Sequence, residues 1–367
     1  MSSQPGTPEN HGNHLRYLLE FEKPIVKMEQ EIQRLESSQI ESGRDYSDII
    51  ASIRDQLKHA LQEAYQNLTP WENVLVARHP RRPLLRDYVR MLCRDFCELH
   101  GDRLYADDKA IVCGFARLAG HRVMLVGHHK GRDTREKIEA NFGCAHPDGY
   151  RKALRMMKLA EKFQVPVVCL VDTPGAYPGV EAEERGIARS IAVNLMEMSR
   201  LRMPIVACVI GEGGSGGALG IAVADQVAVM EHAYYSVISP EGCAAILWKS
   251  GERAVEAAEA LRLTPKDLKR LDLIDAIIPE PLGGAHRDPD TAAKNVEAWI
   301  ARSLRDLKRL KPETLQRRRY ERLRNIGAFI EAGTAQEPKA AKPSKGRARR
   351  RQPAAREASA ARSGASS

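Results

Sequence analysis

Two short apolar runs, residues 165–171 and 205–210, each break into a glycine-bearing turn, and this repeated unit limits what the chain can fold into. The first run leads into Asp172-Thr173-Pro174-Gly175, the second into Gly211-Glu212-Gly213-Gly214-Ser215-Gly216-Gly217. A β-branched run that stops at such a turn before a helical stretch reads as a strand feeding a helix, and strands alternating with helices build α/β layers. Residues 110–115, 123–126 and 226–230 have the same strand-like texture. The expected fold class is therefore α/β, with its chemistry sought at the ends of the two glycine-terminated strands.

The flanks read differently. After a polar start, Pro24 opens a pattern in which Ile25, Met28, Ile32 and Leu35 recur at helical spacing, and a second stripe follows at Ile50, Ile53, Leu57 and Leu61. Ser42, Gly43 and Arg44 separate them, which predicts a helical hairpin over residues 21–75 packed on the body or on a partner chain. Residues 76–330 then form the main domain. Residues 1–20 and 334–367 are low in apolar content and are expected to be disordered.

Of the 367 residues 43% are hydrophobic, enough for a sizeable core. The net charge of +9 suggests a polyanionic partner until it is located. Residues 334–367 hold nine Lys or Arg and two Glu, so the tail carries +7 and the body is nearly neutral. A nucleic-acid-binding tail centred on Arg347 and Arg349 to Arg351 is the rival reading, and deleting the tail tests it; without interleaved aromatics, nucleic acid is not the expected partner. No apolar run approaches the roughly 18 residues of a membrane span, which points to the cytoplasm. Seven scattered cysteines suit reduced thiols. Cys93, Cys97 and His100 fall at helical spacing without a fourth ligand, so they read as helix residues and no metal is expected.

The glycine-rich segment satisfies three patterns. Residues 211–216 fit a dinucleotide fingerprint, with Glu231 as the acid twenty residues on. Residues 213–217 fit a nucleophile elbow around Ser215, for which Asp225 or Asp275 and His232 or His286 are the available partners. Consecutive glycines before a helix also present backbone N–H groups to an anion, an oxyanion hole that needs no side chain. Asp172-Thr173-Pro174-Gly175 looks like a GTPase switch, but no Gly-x4-Gly-Lys-Ser/Thr string accompanies it, so nucleotide hydrolysis is not expected. Met157-Lys158-Leu159 looks like a biotinylation tip, yet it lies on a helical pattern, where Lys158 reads as a solvated residue.

Longer strings are more specific. Ala77-Arg78-His79-Pro80-Arg81-Arg82-Pro83, Gly101-Asp102-Arg103, Gly127-His128-His129-Lys130-Gly131-Arg132, Asn141-Phe142-Gly143 and Pro147-Asp148-Gly149-Tyr150 come before the two glycine units; Ser236-Val237-Ile238-Ser239-Pro240-Glu241-Gly242 and Pro279-Glu280-Pro281-Leu282-Gly283-Gly284 come after. Together they resemble the alpha subunits of bacterial acetyl-CoA carboxylase carboxyltransferase, from about residue 21 to about residue 327.

The resemblance implies a crotonase-like (ClpP/crotonase) fold of repeated β-β-α units. It implies transfer of a carboxyl group from carboxybiotin, carried on a biotin carboxyl carrier protein charged by biotin carboxylase, to acetyl-CoA, giving malonyl-CoA for fatty acid biosynthesis. It also implies a zinc-ribbon beta subunit in an alpha2beta2 assembly, with biotin on the carrier and ATP used elsewhere in the holoenzyme. By motif position Gly213 and Gly214 are assigned to the hole for the biotin carbonyl, with Gly216 and Gly217 as alternatives. Asp172, Thr173, Pro174, Gly175, Ser239, Pro240, Glu241 and Gly242 are expected to shape the substrate pocket.

Overall fold

Continuous apolar sequence forms the middle of the molecule, because strands covered on both faces have no side that must stay polar. The computed structural model describes residues 18–327; the expectations for the first seventeen residues and for the basic tail lie outside these. Helices α1 (Lys23–Ser42) and α2 (Ser47–Gln66) form the antiparallel hairpin, with Gly43 in the left-handed region ending α1. Ile25, Ile32 and Ile50 are buried, whereas Met28, Leu35, Ile53, Leu57 and Leu61 are half-buried, as suits a pair of helices lying on a surface.

Helices α3 (Pro70–Ala77) and α4 (Leu85–Leu92) lead into strand β1 (Cys93–Leu99), followed by β2 (Ile111–Leu118) and β3 (His121–His128). Cys93 and Cys97 thus lie on a strand, correcting the helical reading. Tertiary pairing decides here: Cys93 stands opposite Leu118 and Cys97 opposite Phe115. His100 just beyond is engaged by Asp107 at 3.0 Å.

Next come α5 (Thr134–Glu139), α6 (Pro147–Lys162), β4 (Val167–Thr173), α7 (Val180–Glu184), α8 (Ile187–Arg200), β5 (Ile205–Gly214), α9 (Ser215–Leu219), β6 (Gln226–Met230) and β7 (Tyr234–Ser236). The chain continues through α10 (Pro240–Trp248), α11 (Ala254–Leu261), α12 (Pro265–Arg270), β8 (Ala276–Ile278), α13 (Pro289–Leu307) and α14 (Pro312–Arg324). The sheet runs β1-β2-β3-β4-β5-β6-β8, with β7 added beside the end of β5. The first three strands are antiparallel and the remaining pairings parallel.

Every residue of β4 and β5 is buried. The glycines at 211–214 belong to β5 rather than to a turn, so the turn itself is compressed to the start of the five-residue α9. Both glycine-bearing ends therefore emerge side by side from adjacent parallel strands, where an open α/β sheet holds its ligands. Lys158 on α6 is half exposed and paired with Glu197 at 2.8 Å, the solvated helix residue its spacing suggests. Among the described residues no helix is long and apolar enough to cross a membrane.

Candidate active site

Close approach of the two strand ends depends on glycine. A Cβ on Gly211 would lie 2.6 Å from Asp172 Oδ1, one on Gly214 2.0 Å from the Pro174 carbonyl oxygen, and one on Gly217 2.4 Å from the Gly175 carbonyl carbon. Gly213 is similarly enclosed, with Tyr235 at 2.9 Å, whereas Gly216 would meet only Ile191 at 3.6 Å. Thr173 steadies the loop that lies on these glycines: its hydroxyl is 2.7 Å from the carbonyls of Gly143 and Gly175, and its oxygen accepts from the Gly175 N–H at 3.1 Å.

Behind the glycines lies a buried charge network. Lys130, just after β3, places Nζ 2.7 Å from Asp172 Oδ1 and 2.6 Å from Glu212 Oε1. Asp172 Oδ1 also accepts from the Glu212 backbone N–H at 2.9 Å. The other oxygen of Glu212 accepts from Arg78 Nε at 2.7 Å and from the Tyr234 hydroxyl at 2.6 Å. Arg78 is set by local structure: Thr69 and Glu72 form a reciprocal capping box at the start of α3, Pro70 occupies its first turn, and Arg78 follows its last residue. Its guanidinium reaches Glu241 on α10 at 2.5 Å, while Ser239 caps that helix by accepting from the Gly242 N–H at 3.1 Å.

Three carboxylates thus face two cations. Burial alone raises the Glu212 carboxyl, but the charges of Lys130 and Arg78 and the hydrogen bonds from Lys130 and Tyr234 overcome it and hold the group at about 2. Burial likewise disfavours the Lys130 ammonium, and Asp172 and Glu212 more than restore it. A cavity of about 250 Å³ opens on this network, lined by Arg78, Lys130, Phe142, Asp172, Pro174 and Glu212 among others.

Of the residues singled out from sequence, Asp172, Thr173, Pro174 and Gly175 pack directly on Gly211, Gly214 and Gly217, and Glu241 joins through Arg78. Ser239, Pro240 and Gly242 form the start of α10 and do not line the cavity; neither do Gly213, Gly214, Gly216 and Gly217. Sequence reasoning missed Arg78, Lys130, Glu212 and Tyr234 as interacting groups. Arg78, Lys130 and Glu212 sit inside strings already singled out, but nothing in a string says that a charge is buried.

The rival patterns lose their partners. Asp225 lies before β6 and is held by Arg319 at 2.9 and 2.8 Å and by the Ile205 N–H at 2.8 Å, at the opposite end of β5 from Ser215. Asp275 is bound to Arg322, and Glu231 accepts from the Glu280 N–H. His286 belongs to another cluster, in which Glu22, His79 and His286 offer atoms within 4.8 Å of one another. That cluster does not suit a cation. His79 Nδ1 accepts from the Arg81 backbone N–H at 3.2 Å, which leaves the ring proton on Nε2, and Arg287 already sits 3.1 Å from Glu22 Oε1.

The model of the acetyl co-enzyme A carboxylase carboxyltransferase-like family matches residues 18–327. The chain belongs to that family. Its relatives include proteins named acetyl-coenzyme A carboxylase carboxyl transferase subunit alpha from Thermus thermophilus, 53% identical over 85% of this chain and 99% of the relative, and from Geobacter metallireducens, 52% identical over 86% and 99%. Among solved structures, a transcarboxylase 12S with methylmalonyl-coenzyme A and methylmalonic acid bound superposes with a TM-score of 0.51 at 23% identity, over 63% of this chain and 42% of that one. At that identity the likeness is one of fold. The α/β sheet of repeated strand-helix units is the crotonase-like fold of carboxyltransferases, as the strings in the sequence imply.

Proposed function

We propose that this chain is the α subunit of a bacterial acetyl-CoA carboxylase carboxyltransferase, moving the carboxyl group of carboxybiotin to acetyl-CoA to give malonyl-CoA in the cytoplasm. The observation that carries this reading is the 53% identity to a protein of that name along 99% of its length. Carboxybiotin, carried on the biotin carboxyl carrier protein and charged by biotin carboxylase, supplies both the carboxyl group and a basic ureido nitrogen when bound.

This chain holds an oxyanion. The first N–H groups of α9 have no partner within their own helix, which fits a ureido or thioester oxygen developing negative charge. Gly216 and Gly217 at that helix start are the better donors, Gly217 also permitting close packing on Gly175, while Gly213 and Gly214 are paired in register on β5 with Tyr235 and Ser236 of β7. Asp172, Lys130 and Glu212 fix the two strand ends relative to each other, so that the donors are preorganised rather than recruited. The loop at Asp172, Thr173, Pro174 and Gly175 gives the cavity part of its wall, and Ser239, Pro240, Glu241 and Gly242 at the start of α10 support it from behind through the Glu241–Arg78 pair.

A partner completes the site. Val237, Ile246 and Leu247 on and before α10 are 76%, 72% and 62% exposed, an apolar surface that suits a second subunit. That subunit is the zinc-ribbon β chain, in an α2β2 assembly.

The test is malonyl-CoA decarboxylation with biocytin, with each subunit assayed alone beside the mixture. Activity confined to the mixture supports the reading, and a stable complex without activity sinks it.

A further inference from the structure

The end of the strands opposite the glycine turns carries a charge arrangement that carboxyl transfer does not use. In the antiparallel part of the sheet Arg94 of β1 stands opposite Arg117 of β2, and Arg117 opposite Arg122 of β3. Register partners share a face, so three exposed arginines form one row across two strand spacings, roughly 10 Å. Like charges directly opposite one another weaken a sheet, so the row is held against its own repulsion. Asp95 answers it in part, 3.1 Å from Arg117 Nε, at a register shift between Arg94 and Cys97 where its φ is 52°.

The row borders a groove of about 830 Å³, within the range of small-molecule sites. Arg117, Arg122, His121 and Lys308 line it, and Asp95 is the one carboxylate among its described lining residues. Burial first, then the charges of Lys308 and Arg305, lower the His121 imidazole. One wall is aromatic. Phe163 is 59% exposed, with its ring held edge-on by Phe115 at 6.3 Å and Lys162 Nζ 5.9 Å from its centre.

We propose that this groove binds a nucleoside polyphosphate, with the phosphates on Arg117, Arg122 and Lys308, Arg94 extending the row outside the groove lining, and the base against Phe163. Guanidinium groups pair with phosphate oxygens two at a time, and an exposed ring offers a face to any base. The groove includes Val165 and Pro166, just before β4, whereas the glycine-packed loop begins at the far end of that seven-residue strand, roughly 20 Å away. The occupant therefore touches none of the residues assigned to carboxyl transfer.

The experiment uses the full chain with ATP, adenosine and tripolyphosphate as probes, reading melting temperature and equilibrium binding. ATP and tripolyphosphate are expected to raise the midpoint by roughly 2 to 5 °C at millimolar concentration, and adenosine to leave it unchanged. The double variant Arg117→Gln, Arg122→Gln is expected to lose roughly tenfold or more in affinity for both phosphates while its ligand-free midpoint holds or rises, because repulsion in the row is relieved. Phe163→Ala should weaken ATP about tenfold and leave tripolyphosphate unchanged.

The basic tail is present in every variant, so ATP binding that survives the double substitution belongs to the tail or to an acyl-CoA site and overturns the proposal. So does the absence of ATP binding in the wild type. A ribo-oligonucleotide that loses affinity in the double variant but is not displaced by ATP would make the groove a nucleic-acid surface and overturn it as well.

Discussion

Glu212 and Glu22 are both buried carboxylates held ionised, yet their surroundings are built to different ends. Around Glu212, cations arrive from two separate elements, Lys130 after β3 and Arg78 after α3, and the network borders a cavity. Around Glu22, one guanidinium (Arg287), one phenol (Tyr65, 2.8 Å) and the imidazole of His286 (3.5 Å) close over the group, with His79 stacked on His286 at 4.0 Å, and tie the α1–α2 hairpin to the body. A site needs fixed charge facing an opening; a clamp needs the opening closed. Buried charge by itself therefore does not mark function, and the geometry of its compensation does.

Removing Lys130 should show the largest effect. Its ammonium is 2.7 Å or less from both Asp172 and Glu212, so Lys130→Met leaves two buried carboxylates opposed. The expected loss is about 3 to 5 kcal/mol in urea unfolding, together with loss of carboxyltransferase activity. A loss below about 1 kcal/mol would mean that the network is not the compensated charge cluster its distances describe.

The glycines divide the same region further. Gly214→Ala places a methyl 2.0 Å from the Pro174 oxygen and should cost about 1 to 3 kcal/mol, because backbone rather than a flexible side chain must move. Gly216→Ala meets only Ile191 at 3.6 Å and should stay within about 0.5 kcal/mol of wild type. If Gly216→Ala keeps its fold and subunit association yet loses decarboxylation, the start of α9 is where the anion sits. If Gly214→Ala is as stable as wild type, close packing is not why that glycine is there.

Those contrasts also measure how much the sequence discloses. Strands β2 to β6 and both glycine units are legible because strands buried along most of their length leave nearly continuous apolar runs and punctuating glycines, most completely in the fully buried β4 and β5. The hairpin is legible from its two stripes. Strand β1 is not, since Cys93 and Cys97 fit helical spacing and only pairing with Leu118 and Phe115 makes them a strand. Nor is the charge network. Arg78 and Glu212 are 134 residues apart, and no local pattern records that a distant carboxylate will neutralise a given guanidinium.

Acid should separate the two clusters in order. Burial, then the neighbouring His286, push His79 down from 6.5 to about 3, with Arg81 and Arg287 adding to this against Glu22. A base whose folded value is depressed loses stability as pH falls below its unfolded value, so the clamp weakens from about 6.5 downward, by about 2 kcal/mol at pH 5. Glu212 and Glu22, both lowered from 4.5 to about 2, contribute stability that is lost only as pH falls below about 4.5. Hydrogen exchange at pH 7 and 5, corrected for intrinsic rates, should show α1 and α2 losing protection. His128, also pushed to about 3 by burial and then Lys130, acts on the body, so the local readout in the hairpin is the one that decides. His79→Gln should reduce the hairpin's response over that range, leaving the part contributed by His286, whose imidazole burial also lowers; an unchanged slope would place the pH sensitivity elsewhere.

The rim of the clamp should matter least. Arg287 reaches outward to Glu29 at 2.5 Å, but Glu29 is 35% exposed, so water screens the pair and competes for both groups. Glu29→Ala should cost less than about 1 kcal/mol, whereas Glu22→Gln, which removes the charge shared by Arg287 and weakens the hydrogen bonds from Tyr65 and His286, should cost more. Both can be read from the protection of α1 at pH 7. Equal losses from the two substitutions would mean that the hairpin is held by Arg287 bridging two carboxylates. The distinction between a closed clamp and an open site would then have to rest on the cavity beside Glu212 alone.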